Sequence, residues 1–175
     1  PWRRLVSVAA ASRVDAAWTA LAEVLDPEVP ALSVVDLGLV REVNERDDGL
    51  EIVLTPTYSG CPATELIEQN VLDAVVAAGL GPARVTTRRA PAWSSDWISA
   101  EGKRKLREYG IAPPGPALPD GAQPIRLVAR RAVPVPCPRC DSPRTEQLSA
   151  FGSAACKSLH RCLDCREPFE YFKPI

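Results

Sequence analysis

Two CxxC pairs near the end of this chain constrain its fold more than any other feature. They are CPRC at Cys137 and Cys140, and CLDC at Cys162 and Cys165, with 21 residues between the two pairs. Two pairs at about this spacing can place four thiolates around one tetrahedral ion, the geometry that Zn²⁺ favours in structural sites. Such a short tail has little core of its own, so bound metal would supply much of its folding free energy. The sequence predicts a Cys₄ zinc-ribbon-like domain, and iron or an iron–sulfur cluster stays an alternative for the same thiolates.

A proline-rich segment separates this tail from the rest of the chain. IAPPGPALPDGAQP, residues 111–124, contains five prolines and two glycines. Proline removes a backbone donor and breaks a regular helix or a central strand, so we predict a semi-rigid linker here. The predicted domains are therefore residues 1–110 before the linker and the metal-binding ribbon, residues 125–175, after it. The ribbon would begin with a strand over IRLVARRAV, residues 125–133.

The first domain shows the pattern of a small open sheet. Apolar residues in VDAAWTALAEVLDP recur at helical spacing up to Leu25, and Asp26-Pro27 would end that helix. The turn-prone NERDDG lies between two apolar segments, which predicts a β-hairpin. A second amphipathic helix follows Cys61, and ARVTTRRA is a further strand candidate. The predicted class is α+β, with a small αββαβ domain followed by a short surface helix that ends at Gly110.

Composition excludes several functions for this chain of 175 residues. The formal net charge of −1 gives no bulk attraction to nucleic acid or to an anionic membrane. His160 is the only histidine. A catalytic zinc site, a di-iron site or a Ser–His–Asp triad needs more histidine, or histidine elsewhere. The chain therefore lacks the residues for most hydrolase and oxygenase active sites.

The sequence predicts a cytoplasmic protein. No apolar run approaches the roughly 20 residues that span a bilayer. The opening PWRRLVSVAAASRVD superficially resembles a signal peptide, but Arg13 and Asp15 interrupt its apolar part and an amphipathic helix follows. Six cysteines, in two CxxC pairs and two singles, suit metal sites in a reducing compartment better than a disulfide framework.

Cys61, in TPTYSGCPATELIEQN, lies far from the other cysteines. Because Pro62 suits the first position of a helix, we expect Cys61 at or beside the N-cap. There the helix dipole and the free N–H groups would stabilise a thiolate. The thiol is an inert packing group, a nucleophile or a ligand for something passed on. A cysteine nucleophile needs a base, and the only histidine lies in the other domain, which disfavours that interpretation.

Cys156 and His160 stand beside the second CxxC pair, in FGSAACKSLH. Cys156 has three interpretations: a replacement for one of the four tail cysteines, a buried thiol, or a second transfer ligand. Buried free cysteines commonly pack as small apolar groups, which makes the second the most ordinary. His160 is either a ligand or a ring on the ribbon surface, and with four cysteines available we expect the surface ring.

Acidic and aromatic residues elsewhere admit two interpretations each. Asp26 and Glu28 in DPEVP, and Asp36 in DLGLV, are possible metal ligands, but such residues more often cap turns and helix ends. Trp93 and Trp97 in PAWSSDWIS could form a partner-binding patch. Anchoring their segment onto the sheet is the more ordinary role, and we expect it.

Taken together, DPEVP, DLGLV and TPTYSGCPA resemble the signature of a small iron–sulfur assembly family. That family includes the cytosolic iron–sulfur targeting subunit and accessory proteins of the bacterial Suf system. Five further segments extend the match: PAWSSDWIS, LREYGIAPP, CPRC, FGSAACKSLHRCLDCREPF and EYFKPI. With them the chain resembles the accessory D subunits of the bacterial phenylacetyl-CoA epoxidase system, which acts in aerobic phenylacetate degradation.

The resemblance implies an accessory protein without catalytic activity of its own. In that system a separate di-iron protein performs the epoxidation, and a reductase with flavin and an iron–sulfur cluster supplies electrons. The accessory protein would deliver or maintain iron or a cluster in one of them, with Cys61 as the transient ligand. Cys156 matches the cysteine of the family's FGS-x-x-C-K motif, and the CxxC pairs match its metal-binding tail. Pro174 stands where the family pattern leads us to expect a cysteine.

We therefore predict a maturation factor with a structural zinc tail and a transfer site at Cys61. One cysteine cannot hold a cluster, so a homodimer, a partner thiol or Cys156 would complete the site. The alternative is a non-catalytic zinc-binding adaptor that docks the oxygenase and reductase subunits. A third interpretation is a thiol redox enzyme that uses Cys61 with Cys156.

Overall fold

The N-terminal part of the chain folds in the order that the sequence predicts. The computed structural model describes residues 12–117 and 134–175. The first five elements are helix α1 (Arg13–Leu21), strands β1 (Val40–Arg46) and β2 (Gly49–Leu54), helix α2 (Thr64–Ala77) and strand β3 (Ala83–Thr87). This arrangement confirms the predicted αββαβ domain.

Helix α1 is shorter than predicted. A capping box starts it, because the Ser12 hydroxyl accepts the Asp15 N–H and the Asp15 carboxylate accepts the Ser12 N–H. The helix ends at Leu21, and Leu25 instead pairs with Ser33 in an isolated β-bridge. Leu25 is 52% exposed, so it never joins the apolar stripe that its spacing suggested.

The three strands form a mixed sheet with the order β1-β2-β3. β1 and β2 are an antiparallel hairpin that closes at Arg46 and Gly49, whereas β2 and β3 run parallel and α2 connects them. A parallel pair needs such a crossover, which explains why a helix lies between the two strands. Side chains with no exposed surface fill the space between α1, α2 and the sheet: Ala17, Leu21, Ile52, Val71 and Val75.

The segment after β3 leads directly into the C-terminal sheet. Helix α3 (Ala100–Tyr109) begins at its cap Ser99 and ends at Gly110, as predicted, where φ is 95°. Strand β4 (Ile111–Ala112) follows at once, so the predicted linker opens with a strand. The rest of that linker from residue 118, and the predicted strand over residues 125–133, lie outside the described residues.

Three strands near the end of the chain build the ribbon. They are β5 (Thr145–Ser149), β6 (Lys157–Cys162) and β7 (Pro168–Phe172), and the sheet order is β4-β7-β6-β5. β4 pairs with β7 in parallel, so the ribbon sheet includes a strand from the start of the predicted linker. No helix in the described part of the chain is both long and apolar enough to cross a bilayer.

The ribbon and the N-terminal domain share one apolar core. Phe172 is 1% exposed, and its ring centroid lies 5.9 Å from that of Trp93. Phe172 and Cys156 belong to the same buried cluster as the side chains of α1, α2 and β2. A smaller cluster around Cys137, Cys162 and Phe169 lies inside the ribbon itself.

Candidate metal centre and thiol cavity

The four cysteines of the CxxC pairs converge on one point. The Sγ atoms of Cys137, Cys140, Cys162 and Cys165 all lie within 4.8 Å of one another. Sγ of Cys137 is 3.7 Å from that of Cys165, and Sγ of Cys140 is 3.6 Å from that of Cys162. Zn–S bonds of about 2.3 Å in a tetrahedron give S···S distances of about 3.8 Å. The four thiols therefore fit a structural zinc ion.

Two tight turns position these cysteines. In the first, the Cys137 N–H donates to Ser142 O and the Asp141 N–H donates to Cys137 O, with Asp141 at φ 61°. In the second, the Cys162 N–H donates to Glu167 O, with Arg166 at φ 68°. Each turn points its two thiols to the same side, and one thiol of each pair is buried.

The backbone of the second turn favours the thiolate that a metal needs. Burial opposes ionisation of Cys162, but hydrogen bonds from the backbone of Cys165 and Asp164 and from neighbouring thiols lower the pKa of Cys162 to about 6. In the same turn a hydrogen bond from the Glu167 backbone favours the Cys165 thiolate, but burial and the neighbouring thiols raise the pKa of Cys165 to about 12. Zinc binds cysteine as the thiolate, so these hydrogen bonds favour the metal-binding form chiefly at Cys162.

His160 is not part of the metal group, and our expectation of a surface ring is wrong. The ring is only 6% exposed. Its Nε2 lies 3.0 Å from the Ser158 hydroxyl, and it stacks on Phe169 at 5.6 Å between centroids. Burial lowers the pKa of His160. The ring packs against β7 because His160 pairs with Phe169 in the antiparallel register of β6 and β7.

Cys61 lies further from helix α2 than the sequence suggested. The N-cap is Ala63, two residues later, and it makes no side-chain capping bond. The Cys61 carbonyl accepts the N–H and the hydroxyl of Thr64, and its N–H donates to Tyr58 O. Pro62 therefore belongs to a turn before the helix rather than to its first position. The Cys61 side chain is half-buried.

Cys61 and Cys156 line the same cavity. Its volume is about 20 Å³, enough for roughly one water molecule. The N-terminal domain supplies most of its walls, including Asp26, Glu28 and Thr64, and the ribbon supplies Cys156 and Phe172. The structure thus brings together the two cysteines outside the CxxC pairs, although 94 residues lie between them in the sequence.

The cavity favours the neutral form of its acidic groups. Burial, with a further contribution from the Glu28 carboxylate, raises the pKa of Cys156 to about 11. Outside the cavity lining, burial and the neighbouring Cys61 raise the pKa of Tyr58 to about 12. Burial also raises the pKa of Asp26. A cation bound in the cavity would lower these raised pKa values, because it stabilises the ionised form of each group.

A buried lysine beside this cavity was missed by sequence reasoning. Lys157 is 2% exposed, and its Nζ lies 2.9 Å from Glu170 Oε2 and 3.3 Å from Glu28 O. Burial raises the pKa of Asp26, Glu28 and Cys156, and the positive charge of Lys157 partly offsets that rise at each group. Its place after Cys156 was the only signal in the sequence, since a lysine in a strand usually points to solvent.

The acidic residues of the first domain act mainly as caps, as expected. Asp26 Oδ1 accepts the N–H groups of Glu28 at 2.9 Å and Val29 at 2.8 Å, which closes the DPEVP turn. Asp36 accepts the Ser33 N–H and binds Lys105 of α3 at 2.7 Å. Among the described residues, neither carboxylate belongs to a group of three converging metal ligands.

The two tryptophans anchor their segment, as expected. Trp93 is buried, and its Nε1 donates to Leu37 O at 3.0 Å. The Trp97 ring lies under the Arg41 guanidinium, with 3.6 Å between Cζ and the ring centroid. Both contacts hold the segment after β3 against the sheet and the loop that precedes it.

Comparison with known proteins defines the class to which this fold and these sites belong. Residues 14–86 match the family described as "Iron-sulfur cluster assembly protein", and residues 122–173 match the "PaaD zinc beta ribbon domain". The chain thus combines an assembly-type domain with a zinc ribbon. It is 43% identical over 173 residues to an Escherichia coli (strain K12) protein described as the putative D subunit of 1,2-phenylacetyl-CoA epoxidase, and the match covers 99% of each chain. The chain belongs to the family of phenylacetyl-CoA epoxidase D subunits.

Solved structures resemble the N-terminal domain. A crystal structure of a domain of unknown function, DUF59, from Bacillus anthracis is 27% identical, with a TM-score of 0.51 over 54% of this chain and 91% of that chain. A conserved hypothetical protein of Thermotoga maritima is 28% identical, with a TM-score of 0.46 over 55% of this chain and 94% of that chain. The first likeness confirms the predicted α+β class of this domain.

Proposed function

We propose that this protein is an accessory maturation factor of a phenylacetyl-CoA epoxidase system. It would bind iron or an iron–sulfur cluster as cargo at Cys61 and pass it to the reductase or oxygenase subunit. The relative from Escherichia coli, described as a subunit of such an epoxidase, supports an accessory role within a multi-subunit complex. The match of residues 14–86 to iron–sulfur cluster assembly proteins supports the maturation role.

The observation that carries this proposal is the cavity shared by Cys61 and Cys156. Thiolates are ligands that iron and iron–sulfur clusters favour, and here one comes from each domain. Within the described residues, the CxxC cysteines form the only closed group of three or more converging ligands. The cavity therefore offers an incomplete set, which suits cargo that must leave, and a partner thiol or a second copy would complete it.

The two thiol sites would have different roles. The CxxC group would hold zinc permanently and fold the ribbon, and the cavity would hold the cargo briefly. Cargo on Cys156 requires its thiolate, so binding would release a proton from this buried group.

Metal analysis tests the proposal directly. Zinc, iron and acid-labile sulfide would be measured after anaerobic purification of the wild type, Cys61→Ser and Cys156→Ser. We expect about one zinc per chain in all three, as four thiolates bind one ion, and iron only in the wild type. Zinc alone in every sample, even after cluster reconstitution, would refute the carrier. Iron retained in both variants would mean that the tail cysteines bind the iron, and it would refute the separate roles of the two thiol sites.

The adaptor remains a second candidate because of the size of the cavity. A space of about 20 Å³ holds roughly one water molecule or one ion, whereas a cluster needs the ribbon to move away. An adaptor would carry only the tail zinc and dock the oxygenase to the reductase. If the protein is an adaptor, its Cys61→Ser variant would support full epoxidase activity and would leave the cofactor content of the reductase and oxygenase subunits unchanged. If the protein is a carrier, the same variant would do neither. The thiol redox enzyme stays a prediction, tested by a Cys61–Cys156 disulfide.

A further inference from the structure

We propose that Lys157 is a positioning residue that holds Cys156 of the ribbon against Cys61 of the N-terminal domain. Its ammonium group has almost no exposed surface and touches both domains. Nζ lies 2.9 Å from the Glu170 carboxylate in the ribbon and donates to the Glu28 carbonyl in the N-terminal domain. A lysine this deeply buried must be paired to be stable, so its site is selective for one arrangement of the two domains.

The contact on the N-terminal side lies at the cavity wall. Glu28 belongs to the DPEVP turn, which Asp26 closes with two hydrogen bonds, and both residues line the cavity with Cys61. The carbonyl that accepts from Lys157 is therefore fixed relative to Cys61. Since Lys157 follows Cys156 directly, a bond from its side chain to this turn brings the Cys156 thiol to the same wall.

The contact on the ribbon side fixes the loop that carries Cys156. Glu170 accepts the Ser153 N–H through Oε1 and binds Lys157 through Oε2. The Gly152 N–H donates to Lys157 O at 2.9 Å, and a Cβ at Gly152 would lie 2.5 Å from Glu170 Oε1. The Cys156 carbonyl accepts the Lys173 N–H at 2.9 Å. The loop is thus held at both ends by the lysine–glutamate pair and by β7.

Loss of the ammonium would release these constraints together. The Glu28 carbonyl would lose its donor, the Glu170 carboxylate would lose its counter-ion, and the ribbon would keep its zinc while Cys156 moved from the cavity. The position of the thiol does not depend on any cargo. Its meaning for cargo binding rests on the function proposed above.

Cross-linking of the two thiols tests the position without cargo. Zinc-loaded protein would be treated with dibromobimane, which fluoresces after it alkylates two thiols, and the Cys61–Cys156 peptide pair would be quantified by mass spectrometry. We expect Lys157→Met to lower the end-point yield by roughly tenfold, because the effective concentration of the second thiol falls. The end point is compared rather than the rate, because loss of the Lys157 charge also raises the pKa of Cys156 and slows its alkylation. Lys173→Met is the matched control, since the described contacts of that ammonium group, with Ala150 O and the Phe151 ring, both lie within the ribbon, and it should cross-link like the wild type.

Zinc content and a second variant keep the test decisive. If Lys157→Met retains zinc and cross-links like the wild type, or if the wild type itself does not cross-link, the proposal is wrong. If Lys157→Met loses zinc, the same cross-linking measurement is made on Glu170→Gln, because that variant keeps a hydrogen-bond acceptor and removes only the charge. A lower yield with zinc retained supports the positioning role, and an unchanged yield overturns it. Lost cross-linking with unchanged iron loading would uphold the position and instead contradict the use of Cys156 in cargo binding.

Discussion

The two thiol sites of this protein differ in where their ligands come from. The tail assembles four cysteines from two short turns, each fixed by its own backbone hydrogen bonds. The cavity assembles Cys61 and Cys156 from two domains, held by a shared core and a buried lysine. Local turns give a complete, closed group of four thiols, whereas tertiary contacts bring together only two. Under the function proposed above, the first site would retain its metal and the second would release its cargo.

The largest effect on stability should come from disrupting the four-cysteine metal site of the ribbon. Cys137→Ser, or removal of the ion by a chelator, should unfold the ribbon, because structural zinc contributes on the order of 10 kcal/mol to folding small metal domains. Loss of the β6 and β7 amide signals in NMR would show it. Cys61→Ser is the matched control and should leave those signals in place. A ribbon that stays folded without zinc would contradict the structural role of the ion.

A smaller effect should come from weakening the shared core. Phe172→Ala should lower the free energy of unfolding by about 3–5 kcal/mol, the usual cost of removing a buried phenylalanine. Chemical denaturation measures it. Phe151→Ala is the matched control, since Phe151 is 65% exposed, and its cost should stay within about 0.5 kcal/mol. Equal costs would mean that the ribbon does not pack on the N-terminal core as described.

The protonation of Cys156 should distinguish the cavity from the tail. Its pKa of about 11 means that the thiol dominates at neutral pH and that thiolate increases as the pH rises. Only thiolate is alkylated, so the rate with iodoacetamide should rise about tenfold per unit between pH 7 and 9. Zinc-bound tail cysteines are already thiolates and should show little pH dependence there. A flat profile for Cys156 would contradict its buried, protonated state.

The smallest effect should come from the carboxylate beside Cys156. Glu28→Gln removes a charge that raises the pKa of Cys156, second to burial. The pKa should fall by less than about one unit, equivalent to less than 1.4 kcal/mol, and alkylation at pH 8 should speed up accordingly. Glu23→Gln, an exposed acid that lies outside the cavity, is the control. A rate that does not change would show that the Glu28 charge does not raise the pKa of Cys156.

Sequence reasoning succeeded where the determining contacts are local. Spacing within the CxxC pairs, the NERDDG turn and the Gly110 cap each act over a few residues, so the ribbon, the hairpin and the end of α3 follow from short patterns. The end of α1 was predicted too late in the sequence. Leu25 pairs with Ser33 in a β-bridge instead of continuing the helix, and this non-local contact overrides the helical spacing of the apolar residues.

The cavity shows what sequence reasoning could not reach. Cys61 and Cys156 were both named as transfer candidates, but only the fold places them at one cavity. Sequence reasoning did not single out Lys157, because its two partners, Glu170 and the Glu28 carbonyl, lie on other elements. The start of α2 was placed too early, because Thr64 rather than Pro62 is the first helical residue and Ala63 rather than Cys61 is the N-cap.

The strand β7 has a consequence for biosynthesis. It pairs with β4 across 59 residues of sequence, and its Phe172 completes the core beside Trp93. A ribosome makes the N-terminal domain first, and domains generally fold as they emerge. The wall that Cys156 and Phe172 provide therefore arrives only after Cys61 has already taken its place in a folded domain. Until Cys156 and Phe172 have been synthesised, the cavity beside Cys61 lacks the wall that the ribbon supplies.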